Sequence, residues 1–520
     1  MRNALAEAAI EEGRGPIWLL TLSLRDGRTI RMATEKVNVT TPTNLGGPYQ
    51  YDPLLLGVEE FEEELDYFAL EGAMSLTQAR VQIATSTSLA ALTSDWQHLA
   101  AATVELALIW PGEAWLARLV LLLGVVQSPE WGRAGEVSTL TLEATPEPTS
   151  AYVGDPSRDV GADFAGAVDT AAAAMTELDG AQYQTILGTP RSIPGYKVGD
   201  VGAAGANRLI LCGHALPSLT AVAVTEDDLA SANFTPVVVT SGTGAPYTYV
   251  SSATEFRATD GAYTWSAVPG GIARADGLHS PTKSAGDVLR YLLSISGLTI
   301  DWARCERALQ RLSGWSIGLY LDEAAPAIEV IRDHLLPWLP LVELRGGAGT
   351  WFAYADPFDL PIEARLVVGQ GLVGRLGGMQ MTDRDLIRNA FVIAYAPDEY
   401  LDHEFQETLT LDTDSDALCA LSKQLFGTLA ADSRECPISW DAVTVRRMAQ
   451  HEARRLAMPR RFFRYLAAAD HYWLRAGMGC TLTDADYSIS GSRAVVRSIR
   501  RVGPMEVTIE VLDASPVSAL

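Results

Sequence analysis

Residues 364–378 read ARLVVGQGLVGRLGG, an apolar run that breaks into Gly369, Gly371 and Gly374 at the spacing G-x-G-x-x-G. Two folds compete for this stretch. In a dinucleotide-binding unit the glycines join a strand to a helix whose N-terminus receives the pyrophosphate, and an acidic residue about 20 positions on holds the ribose. Here the continuation is RLGGMQMTDRD, whose paired glycines make a poor first helical turn. No βαβ pattern surrounds them. The glycines are therefore read as bends, bulges or points of close backbone approach inside β structure.

Working outward, the apolar pattern is mostly that of strands. In IWLLTLSLRDGRTIRM, residues 17–32, Leu20, Leu22 and Leu24 alternate with Thr21, Ser23 and Arg25 before Asp26-Gly27 turns the chain, a hairpin with an expected type I′ turn. Strands are also expected at 79–85, on both sides of Pro111, and over 136–144, where Leu140 and Leu142 alternate with Thr139 and Thr141. The Pro- and Ser-rich stretch 145–159 reads as a linker, 163–178 as a short helix and 188–200 as a loop. Short strands resume from Arg208 to about Val268.

Helical periodicity appears at 284–338. Ser284 is a candidate N-cap with Val288, Leu292 and Ile295 on one face, and Gly297 ends that helix. A second begins near Asp301 and stops at Gly314. A third has Pro326 in its first turn and stacks Ile328, Ile331 and Leu335 before Pro337. Then follow two strands around a glycine turn at 341–355, a strand at 389–396, a helix from Asp441 to Met458 stopped by Pro459, and a closing strand. In the last, Met505, Val507, Ile509 and Val511 face one way and Glu506, Thr508 and Glu510 the other.

The fold class that follows is α+β and multidomain, predominantly β with barrel- or sandwich-like domains and a helical or α/β insert. The expected division is an N-terminal segment (1–13), a β-barrel or sandwich domain (14–148), a linker with a short helical segment (149–207), a β domain (208–280), the insert (281–345) and a second β-barrel-like domain with one helix (346–520). At 520 residues several hydrophobic cores are required.

Composition narrows the function. A formal charge of −24 opposes nucleic-acid reading, which gains affinity by neutralising phosphates with basic patches. The five cysteines are far apart with no C-x-x-C, so neither a disulfide framework nor a zinc knuckle is signalled. Acidic groups stand among the first residues where a signal peptide needs an apolar core, and Pro111, Gly112, Glu113 and Arg118 interrupt the most apolar stretch. Neither secretion signal nor membrane span is expected.

Catalytic patterns are weak. GWSIG, residues 314–318, matches a nucleophile elbow around Ser316, but it follows a helix and precedes a strand, the reverse of the elbow order. DTDSD, residues 412–416, starts like a calcium loop, yet Ala417 replaces the glycine and Lys423 the bidentate glutamate, leaving an acidic turn. The histidines are scattered. No catalytic, cofactor or metal site is therefore assigned.

Two charge blocks remain as candidate interfaces. EEFEEELD, residues 59–66, supplies Glu59, Glu60, Glu62, Glu63 and Glu64, and the C-terminal helix and its exit supply Arg446, Arg447, Arg454, Arg455, Arg460, Arg461 and Arg464. Each is ordinarily a solvated face, but so many arginines in an acidic chain would fit an interface with acidic surface on another subunit or partner.

The order of these parts resembles the baseplate hub and tail-tip proteins of tailed bacteriophages. The resemblance rests on the opening β domain IWLLTLSLRDGRTIRMAT, the helical unit KSAGDVLRYLLSISGLTIDWARCERAL, the hairpin LRGGAGTWFAYAD and the strand NAFVIAYA with Asn389, Phe391 and Tyr395. FGTLAADSRECPISWDAVTVRRMAQHEARRLAMPRRFF is similar to that group's glycine segment, helix, proline and returning strand, whereas GMGC at 477–480 departs from its usual Gly-Asp. The resemblance implies a homotrimeric hub whose barrels form a pseudo-sixfold ring. Such a ring joins a distal tail or tail-tube protein to a central spike or tail fibres. It also implies passage of the tape-measure protein and then DNA, without sequence recognition, through a channel whose acidic wall would not trap phosphates. The location would be the virion tail tip, after synthesis in the host cytoplasm. The alternatives are a tail-tip carbohydrate-binding adhesin, its exposed tryptophans stacking on sugars, and a hydrolase or dehydrogenase using Ser316 or Gly371.

Overall fold

In the computed structural model the residues described are 12, 14–41, 47–65, 73–86, 102–130, 133 and 135–144, short stretches between 152 and 280, and 284–514 except 347–348, 355–359, 399–403, 413–415, 431–432 and 503–505. The architecture is predominantly β, with a closed six-stranded barrel and a few helices. The segment read as a short helix, 163–178, lies outside the described residues.

Seven strands make the N-terminal barrel-like unit: β1 (Ile17–Ser23), β2 (Thr29–Ala33), β3 (Leu55–Leu65), β4 (Ala73–Ala84), β5 (Thr103–Ile109), β6 (Leu119–Glu130) and β7 (Val137–Ala144). They pair in the order β2-β1-β5-β6-β7-β4-β3. The gap between the first and last strands is bridged just before β3, where Ala33 N–H donates to the Asp52 carbonyl at 2.8 Å and Asp52 N–H to the Arg31 carbonyl at 3.1 Å. The β1–β2 hairpin forms where alternation placed it, but its turn is not type I′. That turn needs two residues at positive φ, and here Gly27 has φ +88° while Asp26 is not in the left-handed region. Leu24 and Arg28 close the loop, and Asp26 instead accepts a hydrogen bond from Arg28 N–H at 3.0 Å.

Helices α1 (Ala285–Ile295) and α2 (Trp302–Arg311) follow their sequence signals closely. Ser284 Oγ accepts from Asp287 N–H and Asp301 caps α2 through Arg304 N–H. Gly286 lets α1 approach the Leu309 carbonyl of α2, which any Cβ at that position would strike. The third helical pattern winds as α only over Ala327–Glu329 and then as π over Val330–Leu335. An i to i−5 bond from Leu336 N–H to the Ile331 carbonyl widens the turn, so that Leu335 and Leu336 both reach the core.

A hairpin, β8 (Leu341–Gly346) and β9 (Gly349–Tyr354), ties this helical layer to the N-terminal unit, because β8 runs parallel to β4. Next come β10 (Ile362–Val368), β11 (Gly371–Arg375), the hairpin β12 (Phe391–Asp398) and β13 (Glu404–Leu411), α3 (Ala417–Phe426) and α4 (Ala442–Leu456). The chain closes with β14 (Arg461–Ala467), β15 (Gly479–Asp484), β16 (Ile489–Val502) and β17 (Glu506–Asp513). Strands β16, β15, β10, β11, β14 and β17 pair in a cycle that returns to β16, which is the closed barrel.

The structure departs from the sequence expectation at two places here. Helix α3 was not foreseen; Asp416, read as part of an acidic turn, is its N-cap, accepting from Leu418 and Cys419 N–H. The stretch read as a loop at 188–200 contains a strand, Ile193–Val198. It survives Pro194 and Gly195 because it changes partners there, pairing first with 263–265 and then with 208–210. It belongs to a five-stranded sheet with strands at 207–212, 235–239, 247–252 and 263–265. In β17, Val507, Ile509 and Val511 do face the core, but Glu510 on the opposite side is also buried.

The glycine run sits in this barrel, at the corner from β10 into β11, and the next element is a short strand, Gln380–Met381, where a nucleotide cradle needs a helix. Gly369 (φ +85°) and Gly371 (φ +90°) turn the chain sharply, and a Cβ on Gly371 would run into the His471 ring. A Cβ on Gly374 would meet nothing within 4 Å. A nucleotide cradle would need all three glycines, whereas this corner needs one above all. Gly371→Ala is expected to lose about 2 kcal/mol or more in a denaturant titration, from the clash and the positive φ together. Gly374→Ala should change stability by no more than about 0.5 kcal/mol.

Candidate functional site

The two β units meet at one strand. The first half of β16 pairs with β15 inside the closed barrel, and its later residues Ser498, Ile499, Arg500 and Arg501 pair with Glu64, Glu63, Glu62 and Phe61 of β3. Leucines, valines and aromatics of both units therefore form one continuous core, with Trp18, Phe61 and Leu140 in the same cluster as Tyr465, Val496 and Ile509.

Along β3 the side chains alternate, so that Phe61, Glu63 and Leu65 point inward while Glu62 and Glu64 face out. Glu63 thus enters the core as a carboxylate, only 3% exposed. Arg475, equally buried, pairs with Glu63 and also donates to the Leu121 and Val120 carbonyls of β6. Arg501, fully buried, sits with Nη1 3.9 Å from the other Glu63 oxygen. Its guanidinium lies over the Phe61 ring at 5.0 Å and donates to the Tyr472 carbonyl at 3.0 Å and to the Leu474 carbonyl. Burial pulls Arg501 down to about 10, against the attraction of Glu63. Glu63 accepts from Arg475 and four backbone carbonyls accept from the two buried cations, while Arg475 Nε, Arg501 Nη1 and the second Glu63 oxygen find no hydrogen-bond partner among the described residues.

The outer face of the same seam is also charged. Glu510 accepts from Arg464 and from Arg497, each at 2.5 Å, and Arg497 reaches Glu64 at 3.3 Å while lying over the Phe462 ring. The Glu510 hydrogen bond, assisted by Glu64 and Glu62, raises Arg464 above the ordinary guanidinium value. The structure therefore brings the far end of the arginine block, Arg464, and the acidic strand, Glu62 to Glu64, together within one chain.

The remaining members of the two blocks lie apart. Glu59 is exposed and pairs with Arg80 at 3.1 Å; the Glu60 side chain and Asp66 lie outside the described residues. Arg460 is buried, with its N–H donating to Thr382 Oγ1, and Arg461 pairs with Asp513 at 2.9 Å. On α4, Arg446, Arg447 and Arg454 are exposed and Arg455 is half-buried. The residues at the seam that sequence reading passed over are Arg475, Arg497, Arg501 and Glu510. A signal existed: a glutamate on the inward phase between Phe61 and Leu65 requires a buried cation.

Ser316 lies in the turn after α2, with its N–H donating to Thr444 Oγ1 and its carbonyl accepting from Ser439 Oγ, a placement unlike a strand-to-helix elbow. Burial raises the thiols of Cys305 to about 11 and of Cys419, Cys436 and Cys480 to about 12, which keeps them protonated and unreactive at neutral pH. Among the described residues no group of three or more His, Cys, Asp or Glu could hold a metal ion, and no helix is long and apolar enough to cross a membrane. One cavity of about 230 Å³ opens between α2 and the β8–β9 hairpin, where Arg304 lies over the Trp351 ring at 4.5 Å and Arg307, Tyr354, Leu360 and Met478 complete much of the wall.

No family model matches the chain, and no curated protein matches it. Among solved structures it is similar to the tail protein from Neisseria meningitidis MC58, at 8% identity and a TM-score of 0.35, covering 95% of this chain and 96% of that one. It is also similar to a chain from the virion of a native gene transfer agent particle, at 11% identity and a TM-score of 0.42, covering 72% of this chain and 92% of that one. At such scores the functional argument rests on the residues of this chain.

Replacing Glu63 with alanine leaves Arg475 and Arg501 buried without their carboxylate and is expected to cost about 3–5 kcal/mol, read as the shift of the denaturant midpoint. A second expectation concerns acid. Burial raises the Asp484 carboxyl, but hydrogen bonds from Arg375 and from Tyr465 at 2.9 Å outweigh it and leave its pKa below the ordinary value. Stability from this group is thus complete above its unfolded pKa of about 4 and is lost as pH falls through the lower folded value. Asp484→Asn should lower the midpoint at neutral pH and flatten the loss of stability below about pH 4.

Proposed function

We propose that this chain is a structural protein of a tailed-phage virion, a baseplate hub or tail-tip component whose function lies in its interfaces and not in catalysis. The observation that carries the reading is the seam: two β units share strand β16 and one core, pinned by desolvated charges. Three copies would contribute six β units, the number that matches a sixfold tail tube, and a repeated heterologous contact whose rotation closes makes a ring. Large apolar side chains exposed over a short segment of the closed barrel, Val373, Leu376, Met379, Met381 and Leu386, give it surface to bury against neighbours. In this reading the chain joins a distal tail or tail-tube protein to a spike or fibres. Its acidic character keeps the tape-measure protein's path, and then the DNA's, free of phosphate-binding surface.

The glycan-binding alternative has one observation in its favour, the cavity with Trp351, Tyr354 and two arginines. At about 230 Å³ it holds little more than one sugar ring.

Quantitative mass spectrometry of purified particles, with gold-labelled antibody against this chain, tests the reading. The expected result is a low, fixed copy number per particle and label at one end of the tail. Absence from particles, or glycan-array binding lost in Trp351→Ala, would overturn it in favour of another role.

A further inference from the structure

The helical layer carries two charged faces that the seam does not use. Along α2, Arg304, Arg307 and Arg311 are exposed beside Trp302, while Cys305, Ala308 and Leu309 are buried. Helix α4 exposes Val443, Arg446, Arg447 and Arg454. The two faces adjoin, because Arg447 donates to the carbonyl of Gly314, at the end of the turn that follows α2, at 2.5 Å. Arg304 lies 3.4 Å from Asp301, but among the described residues Arg307, Arg311 and Arg446 have no carboxylate within ion-pair distance. The result is a basic surface with an exposed tryptophan and valine, in a chain of net charge −24.

The same layer presents the complement. Asp322 and Glu323 are exposed in the turn before the third helical segment, and Glu329 and Asp333, four residues apart, are exposed along it. Among the described residues none of these four carboxylates is paired with a cation. Two opposite faces on one layer, neither neutralised by the other, are suited to a head-to-tail contact between copies.

We infer that a second copy of this chain docks on the α2–α4 basic face through its Asp322, Glu323, Glu329 and Asp333 face. This deepens the assembly part of the reading above and rests on it. Trp302 and Val443 supply apolar anchors of the kind that accompany arginine at protein interfaces. Because the two faces differ, the contact is heterologous and can repeat around a ring.

The test is sedimentation velocity of the full chain at low ionic strength and at about 0.5 M salt, where screening acts over a few ångströms. The wild type should associate at low salt and weaken at high salt. Arg307→Glu with Arg446→Glu, and separately Glu329→Lys with Asp333→Lys, should each weaken association at least about tenfold while circular dichroism stays unchanged. Mixing the two variants should restore it, since each now offers the face that the other lacks. Association that ignores salt and both charge reversals, or variants that stay apart on mixing, would contradict these faces while leaving assembly by another surface intact. A wild-type chain that remains monomeric at low salt would also overturn the inference, and the particle measurement would still decide the virion reading.

Discussion

A carboxylate held between two guanidinium groups in an apolar core sets the register of everything around it. Glu63 is buried because Arg475 and Arg501 arrive with it, and the carbonyls of Val120, Leu121, Tyr472 and Leu474 accept most of the donors those arginines bring. A one-residue slip of β3 against β16 would expel Phe61 and Leu65 along with Glu63 and drive both Glu62 and Glu64 inward, one carboxylate more than the core holds. Such a cluster adds little net stability over an apolar substitute. Its effect is to make one pairing of the two β units far better than its neighbours.

From this seam the rest of the architecture follows. Strand β16 is long enough to pair with β15 early and β3 late, so the closed barrel and the N-terminal unit share a sheet and a core. The β8–β9 hairpin attaches the helical layer to the N-terminal unit through the first residues of β4. Charges not used inside the seam appear on surfaces in separated patches of each sign, and that separation underlies the proposed contact between copies. The glycine run, whose spacing admits a cofactor cradle, acts mechanically instead, turning the barrel wall tightly enough for Gly371 to lie against His471.

Local patterns carried much of this in the sequence. Ser284, Asp301 and Asp441 marked their helices because a side-chain oxygen at an N-cap has a defined partner a few residues on. The β1–β2 hairpin and the Leu140 and Leu142 alternation were legible for the same reason, that the signal lies within a few residues. What depends on partners far along the chain was not. Glu63 and Arg475 are 412 residues apart, and nothing near either names the other. The acidic and basic blocks were legible as surfaces, yet Arg464 and Glu62 to Glu64 converge only because β17 and β16 carry Glu510 and Arg497 between them. Strand Ile193–Val198 was hidden by Pro194 and Gly195, whose usual meaning gives way when a strand changes partners. Helix α3 was hidden because the aspartate spacing of DTDSD imitates a calcium loop and masks Asp416 as a cap.

The central claim is that the two β units form one cooperative body joined at Glu63. Native-state hydrogen exchange followed by mass spectrometry measures this directly, by comparing the opening free energies of protected amides in β1 and β5 with those in β14 and β17. The account predicts a single common value for both sets, with the amides of β3 and β16 at the seam among the slowest to exchange. Two distinct values, with the seam amides opening at the lower, would contradict it.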